Sequence, residues 1–118
     1  MQNPVFDKLV MQLTPLLGLS RQLVNKSGTR FLRNGSVTVY HTEVAPGNLA
    51  EIAVNLQPVA TKFSISAHAL NDVITECQVM TGCEVEVNKQ QDWPRIGIAS
   101  DDHLALVIQK LTTVLTRR

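Results

Sequence analysis

Residues 48–56 read NLAEIAVNL, and the fold turns on that stretch. Leu49, Ile52, Ala53 and Leu56 share one face of a helix, and Asn48 with Glu51 makes a capping box. Ala50, Ile52, Val54 and Leu56 alternate equally well as a strand. One reading adds a helix and the other a strand, and the choice decides which strands are sheet edges. Pro46-Gly47 ahead of it is a turn in either case.

Upstream, Asn34-Gly35 is a hairpin signal, because a two-residue type I′ turn needs positive φ at both positions. That turn sets Leu32 opposite Val37 and Arg30 opposite Val39. Leu32, Val37 and Val39 then face inward with Arg30 and His41, while Phe31, Arg33, Thr38, Tyr40 and Thr42 share a solvated face. Nearer the N-terminus, Asn3-Pro4 starts a helix, and Phe6, Leu9, Val10 and Leu13 follow at helical spacing. Pro15 removes a hydrogen-bond donor, so this helix should end or kink near Thr14, with Gly18 at the exit.

Downstream, KFSIS (62–66) reads as a short strand. Ser66 caps a helix running to about Thr81, stopped by Gly82. CEVEVN (83–88) and RIGIAS (95–100) read as strands, with Cys83, Val85 and Val87 inward in the first and Ile96 and Ile98 sharing a face in the second. Ser100 caps a last helix. Asp101 and Asp102 stand at its positive end, and Leu104, Val107, Ile108, Leu111, Val114 and Leu115 make one apolar stripe. The expectation is a single α+β domain over 1–118: one antiparallel sheet of four to five strands packed by two to three helices, in the order α-β-β-(α or β)-β-α-β-β-α. A sheet this small has open edges, so a homodimer is expected.

With 44% hydrophobic and 18% charged residues in 118, the composition is that of an ordinary folded chain. Two cysteines, Cys77 and Cys83, are too few for a disulfide scaffold and match no zinc pattern. The first twenty residues lack a basic leader, and no run is long enough to cross a membrane, so a cytoplasmic protein with free thiols is expected.

The net charge of +1 conceals an uneven distribution. Residues 1–42 carry a balance of +4, residues 43–102 one of −6, and the remainder +3. Within 21–42 stand Arg21, Lys26, Arg30 and Arg33 and no acid. That concentration fits a partner with an acidic surface, possibilities including a second copy's acidic half. Arg30, Arg33, Phe31 and Tyr40 are the expected contacts, joined by Trp93 and Arg95, residue types that dominate binding hot spots. The alternative is a nucleic-acid-binding regulator. There Arg21, Lys26, Arg30 and Arg33 would neutralise phosphates, and Phe31 and Tyr40 would stack on bases. A pI near 7.8 falls short of a dedicated nucleic-acid binder.

Catalysis is not expected. His68 and His103 fall in first turns of helices, where a cation is disfavoured, and His41 falls on an inner strand face. No phosphate-binding glycine loop, nucleophile elbow or zinc-protease motif occurs, and no cofactor or metal is expected. Glu84 and Glu86 lie on one strand face rather than across a cleft. Cys77 and Cys83 fit buried structural thiols.

The succession of helix, strands, helix, two strands and helix resembles that of the small dimeric chaperones of bacterial type III secretion. FDKLVMQLTPLLGL (6–19) is similar in style to their first helix. The resemblance implies a dimeric adaptor or chaperone for another protein, although those chaperones are distinctly acidic and this chain is not. PRIGIASDDHLALVIQKL (94–111) is similar to the closing strand and helix of the small domain in some pyridoxal-phosphate enzymes, without their lysine chemistry.

Overall fold

The computed structural model describes residues 4–22, 28–32, 36–41, 49–83, 85 and 93–116. Its elements are α1 (Pro4–Leu17), β1 (Arg21–Gln22), β2 (Gly28–Phe31), β3 (Val37–His41), β4 (Ala50–Val54), α2 (Leu56–Phe63), α3 (Ala67–Thr81), β5 (Arg95–Ile98) and α4 (Asp101–Leu115). The strands form one antiparallel sheet in the order β1-β2-β3-β4-β5.

Within the ambiguous 48–56 stretch, Ala50–Val54 is strand β4, while Leu56 already opens α2 and residue 48 lies outside the described residues. All five residues of β4 are buried, because β4 pairs with β3 on one side and β5 on the other. Ile52 faces Val39 and Ile96 in the ladder, and Val37, Val39, Ile52, Val54, Ile96 and Ile98 join the helices in one core. A helix here would forfeit two ladders.

The hairpin is displaced from the expected register. Phe31 pairs with Val37 and Arg30 with Thr38, so 32–36 separate the strands. A slip of one residue exchanges the two faces of a strand. Phe31, expected on a solvated face beside Tyr40, is fully buried. Arg30, expected inward, is exposed. Leu32 absorbs the change with a left-handed φ of 66°. Such a backbone costs about 1–2 kcal/mol in a residue with a Cβ, whereas burying a Phe side chain yields about 1.5–3 kcal/mol. Burial outweighs the strain. Asn34 and Gly35 themselves lie outside the described residues.

α1 passes through Pro15 and ends at Leu17, so of the two expectations, an end or a kink near Thr14, the end does not occur. Proline inside a helix costs about 3 kcal/mol. Leu13 and Leu17, buried on either side of it, return about 1.5–3 kcal/mol each. Gly18, at φ 92°, donates its N–H to the Thr14 carbonyl and closes the helix.

KFSIS is not a strand. Lys62 and Phe63 complete α2, whose Val59 and Ala60 are buried. Ser64 takes the left-handed C-cap position usually given to glycine, which hid the helix end. α3 begins as expected, with the Ser66 hydroxyl accepting from Ala69 N–H, and stops at a left-handed Gly82. The Ser100 hydroxyl caps α4 by accepting from His103 N–H. Of the expected 83–88 strand, Cys83 and Val85 are half-buried and outside any strand; the rest lies outside the described residues. Among the described residues no helix is long and apolar enough to cross a membrane.

Candidate functional site

Arg21 and Arg30 are direct cross-strand partners in the β1–β2 ladder, and both are exposed. Leu19 stands two residues before Arg21 and Leu32 two residues after Arg30, on the same side of this antiparallel pair. These four, with Leu17 from the end of α1 and Lys62 from the last turn of α2, line a cleft of about 550 Å³ at the β1 edge of the sheet. That volume lies in the range of ligand sites, roughly 300–1,000 Å³. Among the described residues no acid lines it, and Leu19 is 90% exposed.

The rest of the chain's charge shows how unusual the cleft is. Six lysines and arginines fall among the described residues. Lys8 pairs with Asp101 at 3.3 Å, Lys110 with Glu76 at 2.8 Å and Arg95 with Glu51 at 3.3 Å. The other three are Arg21, Arg30 and Lys62, and among the described residues none has a carboxylate partner. Like charges set directly opposite in a ladder are destabilising. An anion between Arg21 and Arg30 would reverse that sign. Lys62 belongs to a helix C-terminus, whose partial negative charge already offsets part of its own.

Other expected contacts are placed differently. Tyr40 and Arg95 come together, the guanidinium carbon 4.6 Å from the ring centroid. The same guanidinium reaches Glu51, which is fully buried, while the Arg95 side chain is 10% exposed. This is an internal ion pair roofed by an aromatic ring. Glu51 escaped notice in the sequence because it doubled as a helix-capping residue. Trp93 is half-buried just ahead of β5, at the sheet edge opposite β1, and so takes no part in the cleft. Lys26 and Arg33 lie outside the described residues.

One pair of nucleophile and base types does meet. Cys83 Sγ lies 3.7 Å from His103 Nδ1, a neighbour 20 residues away in sequence. That nitrogen already accepts the Ala99 N–H at 3.2 Å, so its lone pair is engaged. Taking the thiol proton would also create an imidazolium in the first turn of α4, where the helix dipole opposes it. The geometry therefore works against a thiolate–imidazolium dyad. Cys77 is buried, and burial, reinforced by the charge of Glu76, pushes its thiol up to about 11. No group of three His, Cys, Asp or Glu side chains suited to a metal ion occurs among the described residues.

No protein-family model, curated protein or solved structure matches this chain.

Proposed function

We propose that this chain is a non-enzymatic protein-interaction module, an adaptor or chaperone-like regulator that acts as a homodimer and grips an acidic surface of a partner protein through Arg21, Arg30 and Lys62. The observation that carries this reading is the division among its described cations. Three are neutralised inside the chain, and the other three converge on one cleft.

The cleft's leucines favour protein over nucleic acid. A phosphate backbone has nothing to bury against Leu17, Leu19 and Leu32, whereas an acidic protein segment carries apolar side chains beside its carboxylates. The nucleic-acid alternative also loses its stacking platform, since Phe31 is in the core and Tyr40 is engaged with Arg95.

Fluorescence anisotropy of a labelled glutamate-rich peptide, set against labelled single- and double-stranded oligonucleotides at low and physiological salt, tests the reading. The peptide should bind, and Arg21→Glu with Arg30→Glu should abolish its binding. Oligonucleotide binding that falls steeply with added salt, with no binding of the peptide, would replace this reading by the nucleic-acid one.

A further inference from the structure

The cleft has a direction, and that direction specifies what it takes. Arg21 and Arg30 form one rung of the β1–β2 ladder. Leu19 and Leu32 lie just beyond the paired residues, and Leu32 leaves the extended region at φ 66°, so the leucines form no second rung of the ladder but flank the arginine pair on the wall of the cleft. An extended segment laid over them presents its residues i and i+2 on one face.

Leu32 packs partly against the core and also lines the cleft wall, at the left-handed φ of 66° that the burial of Phe31 imposes. Leu19, also on the cleft wall, is 90% exposed. An apolar side chain left that open is covered when a ligand supplies apolar surface.

We infer that the cleft recognises an extended segment of a partner protein in which an aspartate or glutamate is followed two residues later by a large apolar residue. The carboxylate lies between Arg21 and Arg30, and the apolar side chain lies between Leu19 and Leu32. Lys62, from the last turn of α2, attracts a further acid without fixing the spacing. The inference rests on the acidic-partner reading above and sharpens it to a spacing rule.

A peptide series tests it without altering the protein. Fluorescein-labelled octapeptides of equal charge would carry a leucine one, two or three residues after a glutamate, with a fourth holding serine in its place. Anisotropy titrations should show the two-residue spacing binding roughly tenfold more tightly than the serine peptide, as expected when a leucine side chain is buried. The other spacings should gain little. If all four peptides bind alike, and Arg21→Glu with Arg30→Glu abolishes binding of each, the spacing rule is wrong and the acidic-partner reading stands. If no peptide binds, or the charge reversal changes nothing, both are wrong.

Discussion

Arg21 and Arg30 face each other directly across two strands at the edge of the sheet, with no described carboxylate between them. Cross-strand neighbours have Cβ atoms about 4.5–5.5 Å apart, so the two guanidinium groups repel unless their side chains diverge. The chain accepts that repulsion at a position where almost any polar residue would serve a solvated edge. Arg21→Gln should therefore leave folding intact and raise unfolding free energy by about 0.2–1 kcal/mol, while weakening acidic-peptide binding. Urea denaturation and anisotropy on the same preparation measure both. Loss of stability with unchanged binding would assign the arginine a structural role.

Leu32 should show the same division. Replacing it with asparagine relieves the left-handed backbone, worth about 1–2 kcal/mol, and gives up the burial of a half-exposed leucine, a similar amount. Stability should change by less than about 1 kcal/mol, whereas the preference for a correctly spaced leucine in the peptide should disappear. A variant that binds every peptide as the natural chain does would remove Leu32 from the site.

The pair of Arg95 and Glu51 should behave as an internal ion pair. Arg95→Met removes the cationic partner of a carboxylate that is fully buried, and should cost about 3–5 kcal/mol in urea denaturation. Adding Glu51→Leu removes the buried carboxylate as well and should recover most of that loss. A cost below about 1 kcal/mol for Arg95→Met would mean that Glu51 is neutralised some other way.

The two thiols should separate cleanly. Cys83 is half-buried, and Cys77 is buried with its thiol pushed up to about 11. Iodoacetamide at neutral pH should label Cys83 in the folded protein and Cys77 only after denaturation, as mass spectrometry of tryptic peptides would show. The raised value has a consequence for stability. The unfolded thiol ionises near 9, while the folded one stays protonated to about 11. The unfolded state binds fewer protons across that interval, so stability should fall as pH rises from 9 to 11. A flat urea midpoint in that interval in the natural chain, with Cys77→Ala equally flat, would contradict it.

Much of this fold was legible in the sequence, and the misreadings have definite causes. Ser66, Gly82 and Ser100 marked the ends of α3 and the start of α4 through cap chemistry, which is local. The hairpin register was not local: it pairs Phe31 with Val37 and so buries Phe31 in the core shared with the helices. Residues 48–56 fitted both periods, and only pairing with β3 and β5 decides between them.

The site divides along the same line. Arg21 and Arg30 stood out as part of an acid-free run, but their pairing through β1, a strand the sequence did not announce, was not legible. Lys62 was missed because the stretch around it was read as a strand; it belongs to the last turn of α2 and lines the cleft. The meeting of Cys83 with His103 and of Arg95 with Glu51 joins residues 20 and 44 positions apart, which no spacing rule anticipates.

The most direct measurement is a reversal of specificity. The natural chain and the Arg21→Glu, Arg30→Glu variant would each be titrated by anisotropy with a glutamate–leucine peptide and with its lysine–leucine counterpart, after circular dichroism shows both proteins folded. The natural chain should bind the glutamate peptide and not the lysine peptide, and the variant should do the opposite. A variant that still binds the glutamate peptide as the natural chain does would show that the cleft at the β1 edge is not where an acidic partner is held.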